Sequence, residues 1–237
     1  MKHLLIAAVA LAFVTVACSD DSTTPTTNNV SVYGTVASPT VVAAVQRPSD
    51  KLDGSAEFAD RVVVTKVKVL VSRMIMHRAG SGDTTQDKTV KTEPFVYEAD
   101  STGTRLVVSA LVPEGNYDKV KFEMHRFSSS ELPAYSGNAA FADFTTSERF
   151  TVVLEGLVTV GGSTQAFTFK SDPTANNTCE FTPALAVAAD STTSFSLDFD
   201  ALWVFRDGND RILNPLHPDN ANEIRNRARD AFKAKKK

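Results

Sequence analysis

Two aspartates, Asp198 and Asp200, stand two residues apart inside a segment of alternating apolar residues. Paired carboxylates can do general acid and base work or hold calcium. The alternation itself already requires polar residues at these places, so a solvated strand face is the reading they fit first. Met74, Met76, His77, Met124 and His125 are soft or borderline metal ligands of the kind copper takes. On a strand, Met74 and His77 point opposite ways, and so do Met124 and His125, so no set of ligands converges. No metal ligand is assigned. Asp207-Gly208-Asn209-Asp210 has the composition of a tight turn and lacks the length and terminal glutamate of a calcium loop. Residues 128–147 form a long connecting segment carrying Tyr135, Phe141 and Phe144. Exposed, such rings stack on sugars or pack against a partner; folded back, they plug an open end of a β-structure. Both readings stay open, and these three are the candidate ligand-binding residues. No Gly-x-Ser-x-Gly, His-Glu-x-x-His or phosphate-binding glycine loop occurs. No catalytic residue and no cofactor are therefore expected.

The remaining reactive residue is Cys18. Met1-Lys2-His3 is a short basic start, Leu4 to Val16 is an uncharged apolar run, and small Ala17 precedes Cys18. Polar Ser19-Asp20-Asp21-Ser22 follows at once. This order is that of a secretory signal peptide over residues 1–17. The apolar run is shorter than the roughly 20 residues a spanning helix needs. Thr15-Val16-Ala17-Cys18 resembles the lipobox of bacterial lipoproteins, although leucine is usual where Thr15 stands. The resemblance implies cleavage between Ala17 and Cys18 and attachment of diacylglycerol to the Cys18 thiol. Ser19 stands where an aspartate would signal inner-membrane retention, and Ser19-Asp20-Asp21 resembles the acidic export signal of some surface lipoproteins. The outer membrane is the expected location, on its periplasmic or its surface side, with the lipid bilayer as the partner of the acyl anchor.

Length leaves room for one large domain or two small ones after Cys18, enough for a sizeable core. The net charge is −3, and losing Lys2 with the signal peptide makes it −4, which gives no reason to expect nucleic acid as a partner. There are only two cysteines. With Cys18 acylated, Cys179 has no partner in the chain and is expected to be a buried, inert thiol.

The elements follow from apolar spacing. Ser19 to Asn29 holds no large apolar residue and reads, with Cys18, as a disordered tether over residues 18–29. As a flexible coil its eleven residues span about 18 Å. After it, period-two runs separated by Gly, Pro, Asp, Asn and Ser read as strands. Residues 61–78 form a long one, with Val67, Val69, Val71 and Ile75 on one face and Lys66, Lys68, Ser72 and Met74 on the other. In residues 117–127, Val120, Phe122 and Met124 alternate with Lys119, Lys121, Glu123 and His125. Gly161-Gly162-Ser163-Thr164 reads as a hairpin turn. In residues 194–205, Phe195, Leu197, Phe199, Ala201, Trp203 and Phe205 hold every odd position, which places all six on one buried strand face. Near the end, Asn220 and Glu223 have the chemistry of a capping box. Ala221, Ile224, Ala228, Ala231 and Phe232 then recur at helical spacing, with basic residues following, so residues 219–237 read as an amphipathic basic helix.

Many short antiparallel strands and one C-terminal α-helix argue for an all-β antiparallel β-sandwich over residues 30–218. Pro113-x-Gly115-x-Tyr117-x-x-Val120 resembles the strand-opening pattern of prealbumin-like sandwich domains in bacterial surface lipoproteins. Gly156-Leu157-Val158-Thr159-Val160 fits the same pattern. The resemblance implies a prealbumin- or immunoglobulin-like fold and no activity. The expected role is a membrane-anchored, non-catalytic binding or structural module at the cell envelope, whose partner is an envelope protein or a glycan. A periplasmic copper-binding lipoprotein is the alternative.

Overall fold

The computed structural model describes residues 28–43, 57–80 and 88–236. The expected signal peptide, Cys18 and the expected tether up to residue 27 lie outside the described residues. The chain is mostly β. Its strands are β1 (Val30–Ala37), β2 (Thr40–Val42), β3 (Phe58–Ala59), β4 (Arg61–Val71), β5 (Arg73–Arg78), β6 (Lys88–Lys91), β7 (Phe95–Asp100) and β8 (Arg105–Ala110). They continue as β9 (Gly115–Met124), β10 (Val152–Val160), β11 (Ser163–Ser171), β12 (Ala175–Val187), β13 (Thr193–Asp200), β14 (Ile212–Leu213) and β15 (Phe232–Lys236). Among the described residues three short α-helices interrupt them: α1 (Leu132–Tyr135), α2 (Ala201–Phe205) and α3 (Ala221–Arg229). One sheet has the order β15-β13-β1-β8, a second β11-β10-β4-β2 with β7 also on β4, and a third β12-β9-β5-β6; β14 pairs with β3.

Most pairings are antiparallel, as expected. β1 and β13 are an exception, running parallel from Val30 beside Thr193 to Ala37 beside Asp200. They come from opposite ends of the domain, so no hairpin forces them antiparallel. β10 and β11 do form a hairpin, closed by Gly161 and Gly162 at φ 55° and 80°. Two successive positive φ values suit the tight turn that matches strand twist.

The run 61–78 is not one strand. β4 lies in the second sheet and β5 in the third, and the chain changes sheet at Ser72. There the Ser72 N–H and hydroxyl both donate to the Glu123 carbonyl at 2.8 Å. Corners where a strand leaves one sheet for another commonly sit at such breaks. Past the break, Met74, Ile75 and Met76 are all buried. Met74 therefore lies in the core and not on the polar face.

The last of the apolar alternations also ends early. β13 stops at Asp200, whose carboxylate accepts the Trp203 N–H at 3.1 Å and caps α2. An aspartate satisfying an otherwise orphan amide favours a helix start over continued strand. Beyond it the buried residues are Ala201, Val204 and Phe205, which is helical spacing, and Trp203 stays 47% exposed.

The C-terminal segment differs again. The helix ends at Arg229, and β15 turns back to pair antiparallel with β13, setting Phe232 beside Phe199. Asn220 makes no side-chain cap; its amide donates instead to the Glu57 and Asn214 carbonyls. Lys233 pairs with Asp200 at 2.8 Å and Lys235 with Asp198 at 2.7 Å. Asp198, expected in solvent, is only 6% exposed. The lysines are thus cross-strand partners of carboxylates, not the cationic end of a helix. Ile224 and Ala228 are the buried face of α3.

Two polar residues hold the sheets to each other. Asn29, assigned to the tether, is buried at 2% exposure. Its amide donates to the Val112 and Ala188 carbonyls, and its side-chain oxygen accepts the Val112 N–H at 2.9 Å. Its own N–H and carbonyl bond Ala110 and Thr193. Tyr97 reaches from β7 over the seam between β1 and β13. Its hydroxyl lies 2.8 Å from the Thr35 carbonyl and 2.9 Å from that of Leu197, and accepts the Thr35 N–H at 3.1 Å. Burial pushes its pKa well above the usual tyrosine value. Gly34 makes room for the ring: a Cβ there would lie 2.9 Å from Tyr97 Cε2 and 2.6 Å from Val107 Cγ2.

Tyr97→Phe should destabilise the protein by about 1–3 kcal/mol, because the Thr35 N–H loses its acceptor. Urea denaturation with an unchanged slope checks this; an unchanged midpoint would mean the hydroxyl holds nothing. Phe232 packs edge-on against Tyr97 and Phe199, with ring centroids 5.0 and 5.5 Å away. Phe232→Ala is expected to cost about 3–5 kcal/mol. A near-neutral result in the same assay would be that of a frayed tail, not of a strand closing the sheet.

Candidate functional site

The loop after β9 carries the three aromatic candidates, and local chemistry shapes it. The Ser128 N–H donates to the Glu131 carboxylate at 2.8 Å while the Glu131 N–H donates back to the Ser128 hydroxyl at 3.3 Å. The Ser128 hydrogen bonds hold the Glu131 carboxyl below its usual pKa. Asn138 caps the next turn by accepting the Ala140 N–H at 3.0 Å. The loop then folds back. Phe141 and Phe144 are buried in a second core with Leu70, Phe127 and Val153. Leu70 and Val153 point away from their buried neighbours Val69 and Val152, so this core covers the other face of β4 and β10. Tyr135 stacks on Phe127 with centroids 4.5 Å apart and planes 11° apart. Lys68 on β4 pins the loop through Asp143 at 2.7 Å, and Lys170 stands 3.6 Å from the same carboxylate. The Lys68 hydrogen bond lowers the Asp143 pKa, and the same bond raises that of Lys68.

The loop therefore sheathes a sheet face. Phe141 and Phe144 have no ring face left for a ligand; Tyr135 is only half-buried. Met74, Met76 and Met124 belong to the main core, and Asn177 donates to the Met124 sulfur at 3.4 Å. Among the described residues no group of three or more His, Cys, Asp or Glu could hold a metal ion. Cys179 is a free, buried thiol whose pKa is raised by burial. The Asp207 carboxylate accepts the N–H groups of Asn209 and Arg211 at 2.9 and 2.8 Å and pairs with the Arg211 side chain. It is a turn brace, as its composition suggests. No described helix is long and apolar enough to cross a membrane.

An open concave site lies elsewhere, between α2 and α3. Trp203 forms one wall, and Asp219, Asn222, Glu223, Asn226, Arg227 and Asp230 line the rest of a cleft of about 520 Å³. Spacings of three and four bring the α3 residues onto one helix face. Arg227 knits the two helices together. Its Nε donates to Glu223 at 2.9 Å, its Nη1 to the Trp203 carbonyl at 3.3 Å, and its guanidinium lies 5.5 Å from the indole centroid. The period-two pattern hid this site by assigning Trp203 to the core. The signal that could have revealed it was Asp200, an N-cap residue three positions before Trp203. No family model, curated protein or solved structure matches the chain.

Phe144→Ala should cost about 3–5 kcal/mol by emptying the second core. Tyr135→Ala, at the rim, should cost clearly less. Equal losses of thermal stability in the two variants would contradict the sheathing role.

Proposed function

We propose that the protein is a lipid-anchored extracytoplasmic module that binds or supports a partner at the cell envelope and does no catalysis. The observation that carries this reading is the order Thr15-Val16-Ala17-Cys18, with the described fold opening at Asn29. Ten polar or small residues, Ser19 to Asn28, separate the acyl site from the first residue locked into the sheets. A prealbumin-like sandwich is the finer reading of the β architecture. It is supported by the sheets packed around one main core and by the turn at Pro113–Gly115, where Tyr117 donates to the Pro113 carbonyl at 2.8 Å. The cleft beside Trp203 supports binding over a purely structural role, since a half-exposed tryptophan is the residue type that concentrates at recognition sites. Met74, Met76 and Met124 sit in the main core as apolar side chains do without any metal, so they add no support to the copper-binding alternative. Ser19 after the acylated cysteine favours the outer membrane.

Cys18→Ser should abolish incorporation of labelled fatty acid. It should also release the protein from membranes or leave it uncleaved. A Cys18→Ser protein that is still processed, acylated and sedimented with membranes would sink the proposal. Protease shaving of intact cells separates surface display from a periplasmic orientation.

A further inference from the structure

The ordinary small-molecule pocket is lined mainly by apolar side chains with a few polar ones among them. The cleft between α2 and α3 has a different set of side chains. Trp203, 47% exposed, is its one aromatic residue, and each of the other six lining side chains carries a hydrogen-bonding group. Asn222 and Asn226 can donate and accept, Asp219, Glu223 and Asp230 accept, and Arg227 donates. An apolar ligand or the apolar face of a partner helix would cover one ring and leave six hydrogen-bonding side chains around it without partners. A pyranose matches: one face of its ring is a patch of C–H groups, and its rim is hydroxyls that both donate and accept.

Charge narrows the class. Three carboxylates face one guanidinium, and that guanidinium already serves Glu223. Phosphorylated or carboxylated sugars would meet like charge, whereas hydroxyls and amines would meet acceptors. The platform is also fixed before any ligand arrives. Asp200 caps the turn that carries Trp203, and Arg227 holds the Trp203 carbonyl and lies beside its ring. Such preorganisation removes ordering cost from binding.

We propose that this cleft binds an uncharged or amine-bearing oligosaccharide, with Trp203 as the stacking platform and the polar face of α3 as the hydroxyl reader. The inference rests on the reading of the protein as an envelope binding module and supplies its ligand class.

Trp203 is the only tryptophan of the chain, so its fluorescence reports directly on the cleft. The full-length protein, extracted in a detergent without a sugar headgroup, would be applied to an array of uncharged, amino and anionic oligosaccharides. The best-retained glycan would then be titrated in solution. Retention of uncharged or amino glycans is expected, with a saturable change in Trp203 emission. Trp203→Ala should weaken array binding at least about tenfold, the loss of one aromatic stacking contact. Asn226→Ala, on the exposed helix face, should weaken it several-fold while leaving circular dichroism and the urea midpoint unchanged. Retention of anionic glycans alone, retention of no glycan, or binding that survives both variants would overturn the proposal. So would a saturable fluorescence response to a cationic peptide with none to sugars. An acylated, membrane-bound protein that takes no glycan overturns this inference alone. A protein that binds glycan through Trp203 without being acylated overturns the anchoring and leaves the cleft.

Discussion

A tyrosine hydroxyl cut off from water must find its hydrogen bonds inside the protein, and Tyr97 finds them on the backbone of a different sheet. Its partners, Thr35 and Leu197, belong to adjacent parallel strands that come from opposite ends of the domain. An unpaired buried hydroxyl costs more than a formed bond contributes, so the contact is weak as glue and strong as a constraint on register. Sliding β1 against β13 by one residue would orphan the phenol and move Gly34 from under the ring. Asn29 does the same at the start of β1, with each of its polar groups bonded to β8, β13 or their flanking turns. Between them, the two residues set how the N-terminal strand enters the fold.

β13 is the hub of the first sheet. One edge takes β1 and the other takes β15, which forms the outer strand of that sheet. The two aspartates of β13 read at first as solvated acids. Asp198 is instead buried against Lys235, and Asp200 serves both as partner of Lys233 and as cap of α2. That cap is what carries Trp203 out of the core and opposite α3. One carboxylate therefore links the closing strand to the geometry of the cleft, which is why an exposed ring can be held rigidly at the edge of a β-protein.

The fold keeps two apolar layers on one sheet. The main core covers one face of β4 and β10, and Phe127 together with Phe141 and Phe144 of the loop of residues 128–147 covers the other. Ion pairs from Lys68 and Lys170 to Asp143 fasten the loop from outside. This seals both faces of β4 and β10, while hydrogen-bonding side chains project at helical spacing from the corner between α2 and α3.

The amino-acid order alone determined the β class, most strands, the glycine hairpin and the inward face of β9. These rest on local chemistry or on a period of two, both of which act within a few residues. The tertiary structure alone decided where apparently continuous patterns break. Ser72 ends β4 because the Glu123 carbonyl, on another strand, takes its N–H and hydroxyl. Phe232 leaves the helical stripe because Phe199 and Tyr97 offer it a better partner than another helical turn does. Trp203 keeps the odd-numbered position of a buried residue and is nonetheless exposed, because Asp200 converts the period from 2 to 3.6 at that point. Periodicity records which residues avoid water, but not which distant backbone group will claim a side chain. The parallel pairing of β1 with β13, the second core and the cleft all depend on such distant claims.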